Sequence, residues 1–135
     1  MNLGWRSRPA SCASIAPANS CDPTNGPNQL TAINGSLYFE VDDGDSGREL
    51  WKSDGTSAGT LLVRSISSEI SAFNTPIGLT NANGTLFFIA NDETHGYELW
   101  KSDGTSAGTL LVKDTLPGFR DGISYLIPLT NVNGT

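Results

Sequence analysis

Three carboxylates crowd into the short stretch Asp42-Asp43-Gly44-Asp45-Ser46-Gly47, with glycines placed for a sharp turn. Hard, oxygen-seeking cations such as Ca²⁺ take carboxylate ligands in loops of this kind. Asp42, Asp43 and Asp45 therefore form a candidate calcium site. The stretch departs from the twelve-residue EF-hand pattern, and no Glu follows at the bidentate position, so a solvated acidic hairpin loop is the plainer expectation. A corresponding loop, Asn91-Asp92-Glu93-Thr94-His95-Gly96, keeps the acidity but changes the spacing, and it holds the one histidine. A lone His with no second His or Cys beside it makes a poor zinc site. No G-x-S-x-G supplies a nucleophile for it to activate, and neither a Walker A nor a dinucleotide glycine pattern occurs. Glu49 and Glu98 would serve as a glycosidase pair only by facing each other across a cleft. As repeated residues they are expected instead to satisfy local backbone or Lys partners. Trp51 and Trp100 have the chemistry to stack on sugar rings, but packing between sheets explains their repetition more directly. No catalytic residue and no cofactor other than the candidate calcium is expected, and the chain is read as a non-enzyme.

These residues sit inside an internal repeat, the dominant feature of the sequence. ELWKSDGTSAGTLLV occurs at Glu49–Val63 and, unchanged, at Glu98–Val112, an offset of 49 residues. Around it, LTAINGSLYF at Leu30–Phe39 matches LTNANGTLFF at Leu79–Phe88, and a third copy opens as LTNVNGT at Leu129–Thr135. The organisation expected is a non-repeat leader at 1–29, disordered or the remnant of a preceding repeat, then repeats at 30–78 and 79–128, and the start of a third repeat at 129–135. Because that copy stops where its next strand should begin, the chain is expected to be a piece of a longer array. A unit recurring at this period buries its apolar face against its neighbours.

Each unit is expected to hold four short strands. Leu30–Ile33 leads into Asn34-Gly35, the dipeptide favoured in type I′ hairpin turns because both residues take positive φ. Ser36–Val41, Arg48–Lys52 and Thr60–Ser65 follow, and the second copy repeats them as Leu79–Ala82, Thr85–Ala90, Tyr97–Lys101 and Thr109–Asp114. Alternation places Leu86, Phe88 and Ala90 on one face and Phe87 and Ile89 on the other. Leu110 and Val112 likewise oppose Leu111. A sheet apolar on both faces needs cover on both sides. The expected fold is all-β, two four-stranded antiparallel blade-like repeats of a β-propeller, with a β-solenoid or an open stack of small sheets as the alternative. Propellers close with about 4–8 blades, so two blades leave an apolar face bare at each end, and the isolated chain is expected to be poorly stable or self-associating.

At Glu49, Leu50, Trp51, Asp54, Gly55 and Thr56, and again at Glu98, Leu99, Trp100, Asp103, Gly104 and Thr105, the sequence resembles the ELWxxDGT repeat of large secreted or surface proteins of bacteria. The resemblance runs from about Leu30 to Thr135. It implies a bacterial, propeller-like repeat protein and assigns no catalytic residues. A weaker likeness to the Asp-box of sialidase-type propellers departs from that pattern, because Ser53 adjoins Asp54 and Trp51 precedes the turn. Only the physical idea carries over: an Asp carboxylate in such a turn accepts backbone N–H bonds.

Eight Lys and Arg against fourteen Asp and Glu give a formal charge of −6, which argues against nucleic-acid partners, whose phosphates call for clustered cations. No apolar run approaches the roughly 20 residues of a membrane span. The leader carries Arg6 and Arg8 without a following apolar stretch, so it does not read as a secretory signal. Cys12 and Cys21 would close a small loop in an oxidising compartment, worth on the order of 2–3 kcal/mol, and stay free in a reducing one. Asn34-Gly35-Ser36, Asn83-Gly84-Thr85 and Asn133-Gly134-Thr135 match the glycosylation sequon but read as turns. The expected function is a structural or interaction module of a larger extracellular or cell-surface bacterial protein, acting in adhesion or scaffolding. Its expected partners are further repeats, a second copy, or a surface glycan or protein. A carbohydrate-binding propeller, with loop residues or Tyr97 at the ligand, is the second reading. A fragment of a propeller hydrolase or lyase is the third.

Overall fold

A computed structural model describes residues 27–42, 48–66, 75–118, 121–122 and 129–132. It is all-β, with no helix among the described residues. The strands are β1 (Asn28–Ile33), β2 (Ser36–Asp42), β3 (Arg48–Ser53), β4 (Leu61–Ser65), β5 (Ile77–Ala82), β6 (Thr85–Asn91), β7 (Tyr97–Ser102) and β8 (Leu110–Lys113). They form two four-stranded antiparallel sheets in simple meander order, β1-β2-β3-β4 and β5-β6-β7-β8. β1 begins two residues before the Leu30 expected to open it, since Asn28 already pairs with Glu40. Cys12, Cys21, Asp43, Asp45 and Asn133-Gly134 lie outside the described residues.

Local chemistry fixes the hairpins. Asn34 and Gly35 (φ 48° and 81°) and Asn83 and Gly84 (φ 51° and 80°) all take the positive φ that two-residue I′ turns demand. Both sheets carry irregularities at matching places, between Asn28 and Thr31 as between Ile77 and Thr80, and between Leu50 and Trp51 as between Leu99 and Trp100. In the third and fourth strands the extra residue is Val63 or Val112. At the first, Gln29 has φ 55° and its counterpart Gly78 has φ 67°. A side chain there costs roughly 1–2 kcal/mol. Gln29 makes two bonds to the second sheet that offset this strain: it accepts from Gly78 N at 2.6 Å and donates to Pro76 O at 3.0 Å.

The core lies between the sheets. Tyr38 and Leu50 of the first, with Ile33 and Val63, meet Leu86, Phe88, Ala90 and Trp100 of the second. Phe88 and Trp100 are a directly opposed cross-strand pair with ring centroids 6.4 Å apart. Burying each of these large side chains is worth about 1.5–3 kcal/mol. Between sheets, the backbones come together mainly along β1 and β5. Phe39 and Val41 on the far face of the first sheet, and Ile89 on the far face of the second, are buried as well. No helix among the described residues is long and apolar enough to cross a membrane.

Candidate functional site

The repeated Ser-Asp-Gly-Thr turn is built to satisfy itself. Asp54 Oδ1 accepts from Thr56 N at 2.9 Å and from Thr56 Oγ1 at 2.7 Å, the Asx geometry expected from the sequence. Thr56 Oγ1 accepts in turn from Gly59 N at 2.9 Å. Thr60 Oγ1 donates to Thr56 O at 2.7 Å, so the Ser53 hydroxyl is the donor in its 2.7 Å bond to Thr60. Gly59 must lack a side chain, because a Cβ would strike the Asp54 carboxylate. Ser102, Asp103, Thr105, Gly108 and Thr109 reproduce the same bonds. The Thr side chain, then the backbone N–H, hold Asp54 and Asp103 below the usual carboxylate range.

What differs between the copies is their surroundings. The second turn is clamped by the first sheet. Lys52 Nζ donates to Gly104 O at 2.7 Å, and the Tyr38 hydroxyl lies where a Cβ on Gly104 would be. Arg64 donates to Thr109 O at 2.7 Å while its guanidinium stands 5.7 Å from the Trp100 ring centroid, a cation–π arrangement. Trp100 is 4% exposed, and Ser102, Gly104 and Thr109 are buried. In the first copy Trp51, Ser53 and Thr60 are only half-buried, Gly55 is exposed, and no atom lies within 4 Å of a Cβ placed on it.

The motif glutamates diverge in the same way. Glu49 Oε2 accepts from Trp51 Nε1 at 3.0 Å. Glu98 is fully buried and takes its bonds from Thr115 N at 3.2 Å and Thr115 Oγ1 at 2.9 Å. Trp100 Nε1 is consequently buried with no hydrogen-bond partner among the described residues. Sequence reasoning brought together the motif residues of each copy. It missed the residues that clamp them, Tyr38, Lys52 and Arg64, because the repeat shows that these positions recur but not that they reach the turn of the following sheet.

A second set of bonds joins β1 to β5. Thr31 Oγ1 donates to Leu79 O at 3.0 Å and Asn81 Nδ2 to Ala32 O at 3.2 Å. One repeat later, Thr80 Oγ1 donates to Leu129 O at 3.4 Å and Asn131 Nδ2 to Asn81 O at 2.6 Å. The same positions make the same bonds at both junctions.

Of the calcium candidates, Asp42 closes β2 opposite Arg48, with Oδ2 3.9 Å from Arg48 Nε, while Asp43 and Asp45 are outside the described residues. Among the described residues no cluster of three or more His, Cys, Asp and Glu is arranged to hold a metal. Next to Asp42, Glu40 is buried and takes Arg48 NH1 on Oε1 at 2.7 Å. Burial pushes its carboxyl above the usual range, with Arg48 pulling the other way. His95 is tied into its own loop, its Nδ1 2.7 Å from Asp92 Oδ2. That bond raises the imidazole pKa. At Asp92, burial works against ionisation, but the bonds from the His95 ring and from the His95 and Thr94 N–H groups outweigh it and hold the carboxyl low. Tyr97, the residue expected at a sugar, is buried. No family model matches this chain, and no curated protein or solved structure is significantly similar to it.

Proposed function

We propose that the chain is a non-enzymatic stacking module of the ELWxxDGT kind. In this reading its motif is the surface through which one sheet seats on the next, and it serves adhesion or scaffolding within a larger extracellular or cell-surface bacterial protein. One observation carries the reading. A single 15-residue sequence is clamped by Tyr38, Lys52 and Arg64 where the first sheet precedes it, and is open in the first copy, before which no sheet stands among the described residues. A propeller-like arrangement is the architecture we favour. It is supported by close approach of the innermost strands β1 and β5 and by recurrence of the Thr and Asn bonds from one junction to the next. Hydrolytic chemistry is disfavoured, because the Glu98 carboxylate is buried and consumed by Thr115.

In a stacked array, stability grows by one interface per repeat. Chains lengthened by further copies of the 79–128 unit should therefore melt at progressively higher temperature. A melting point independent of repeat number would overturn the proposal. A glycan array probed with the longest of these chains tests the carbohydrate reading, which a blank array removes.

A further inference from the structure

Among the described residues the stack leaves two surfaces open, and they match by sequence position. The outer face of the second sheet carries Phe87, Lys101 and Lys113, the repeat counterparts of Tyr38, Lys52 and Arg64. Lys101 and Lys113 are exposed and Phe87 is half-buried. The outer face of the first sheet carries Leu37, Leu62 and Gly55, counterparts of Leu86, Leu111 and Gly104. Leu37 and Leu62 are 38% and 45% exposed, whereas Leu86 is 1% exposed and Leu111 packs against the core. Both faces are open at the same end, where the Ser-Asp-Gly-Thr turns lie. Toward the opposite end they are closed, with Val41 buried on the first and Ile89 and Tyr97 on the second.

At the open end of the second sheet, Thr85, Phe87, Leu99 and Asn131 line a hollow of about 520 Å³. That face already receives backbone in the register of the first junction, since Leu129 and Asn131 repeat the bonds made at Leu79 and Asn81.

We propose that the outer face of the second sheet is a docking surface for the first sheet of a second copy of this chain, head to tail. The proposal rests on the stacking reading and extends it between molecules. Phe87 seats against the open Gly55 turn, Lys101 reaches the Gly55 carbonyl, and Lys113 reaches the Thr60 carbonyl and the face of Trp51. In this register the incoming β1 falls where Leu129–Val132 lies. The incoming β1 is laddered to β2, whereas Leu129–Val132 belongs to neither sheet. The 129–132 segment yields its place and acts as an intramolecular cap that competes with docking. Because the two surfaces differ, the contact is heterologous and adds copies in one direction.

Sedimentation velocity over a range of concentrations tests this on the full chain, on Phe87→Asp, on Leu37→Asp, on an equimolar mixture of the two, and on a chain lacking 129–135. The unmodified chain should associate beyond a dimer, and deleting the cap should strengthen that association. Each variant alone should be monomeric, and the mixture should form a 1:1 pair and nothing larger, because each variant keeps the surface the other has lost. Lys101→Glu and Leu62→Asp provide a second pair should either Asp variant lose its β-sheet circular dichroism. A monomeric parent chain, a mixture that stays monomeric, or a variant that dimerises by itself would each overturn the proposal. Thermal melts of Tyr38→Ala separate the two readings. A monomer whose melting point falls with Tyr38→Ala keeps intramolecular stacking and loses only docking, whereas an unchanged melt removes stacking itself.

Discussion

Replacing Gly55 and Gly104 by alanine in turn isolates the interface from the turn. Both glycines sit in the same local sequence with nearly the same backbone, φ 93° and 89°. An alanine there costs roughly 1–2 kcal/mol in backbone strain at either site. The effect of a Cβ on the unfolded chain is also shared, so both contributions cancel in the comparison. The surroundings do not cancel. A Cβ on Gly55 meets nothing within 4 Å, whereas on Gly104 it collides with the Tyr38 hydroxyl and approaches Lys52 Nζ at 3.5 Å. Displacing a packed side chain costs about 1–3 kcal/mol, and loss of the Lys52 bond to the Gly104 carbonyl adds up to roughly 1.5–3 kcal/mol. Gly104→Ala should therefore be less stable than Gly55→Ala by about 2 kcal/mol or more. At roughly 3–4 °C per kcal/mol for a chain of this length, the melting points separate by about 7 °C. Urea titrations and thermal melts followed by circular dichroism measure the difference. Two variants equal within about 0.5 kcal/mol, the usual scatter of surface substitutions, would refute the argument that the second turn is held by the first sheet.

The buried Glu40–Arg48 pair offers an internal comparison, because the second repeat has Ile89 and Tyr97 in those places. Exchanging both, Glu40→Ile with Arg48→Tyr, should be neutral or stabilising. Arg48→Ala alone should cost about 2–4 kcal/mol by leaving a buried carboxylate uncompensated, as denaturant titration will show. Since burial raises the folded pKa of Glu40, its ionisation costs stability as pH rises through that pKa, and the double exchange should remove this slope. His95 and Asp92 set an opposite pair of limits. The contribution of His95 is complete below its free value of 6.5 and is lost as pH rises through its elevated folded pKa. That of Asp92 is complete above its free value of 3.8 and is lost as pH falls through its depressed one. An NMR titration should place the imidazole midpoint above 6.5 and return it toward that value in Asp92→Asn. A midpoint at or below 6.5 in the parent chain would contradict the bond.

Much of this architecture can be read from residue types. Asn-Gly dipeptides mark the β1–β2 and β5–β6 hairpins because few other pairs tolerate two successive positive φ values. Alternation in Leu86 to Ala90 assigns the faces because strand side chains have period two. Strand bounds fall within two residues of expectation, for instance Thr85–Asn91 where Thr85–Ala90 was expected. Environment is not legible in the same way. Trp51 and Trp100 share the two residues before them and the twelve after, yet one is half-buried and bonded to Glu49, while the other is covered by Arg64 and Phe88. Nothing local distinguishes them, because the difference comes from whether another sheet stands in front. The Glu40–Arg48 pair is equally hidden, since its members lie eight residues apart in strands whose register only the fold supplies.

The contacts between sheets share a property with a consequence for how such sequences drift. Lys52, Arg64, Thr31 and Asn81 all donate to main-chain carbonyls of the neighbouring repeat, at Gly104, Thr109, Leu79 and Ala32. A carbonyl is present whatever residue bears it. A repeat that keeps its own donors can sit beside a neighbour whose accepting side chains have changed, and no compensating substitution is needed across the junction. Pairs joined only by these bonds should evolve without correlation, unlike Tyr38 with Gly104, Arg64 with Trp100, or the packed core between the sheets. Genes encoding such arrays could lose, duplicate or reorder units while every new neighbour still offers the same row of acceptors.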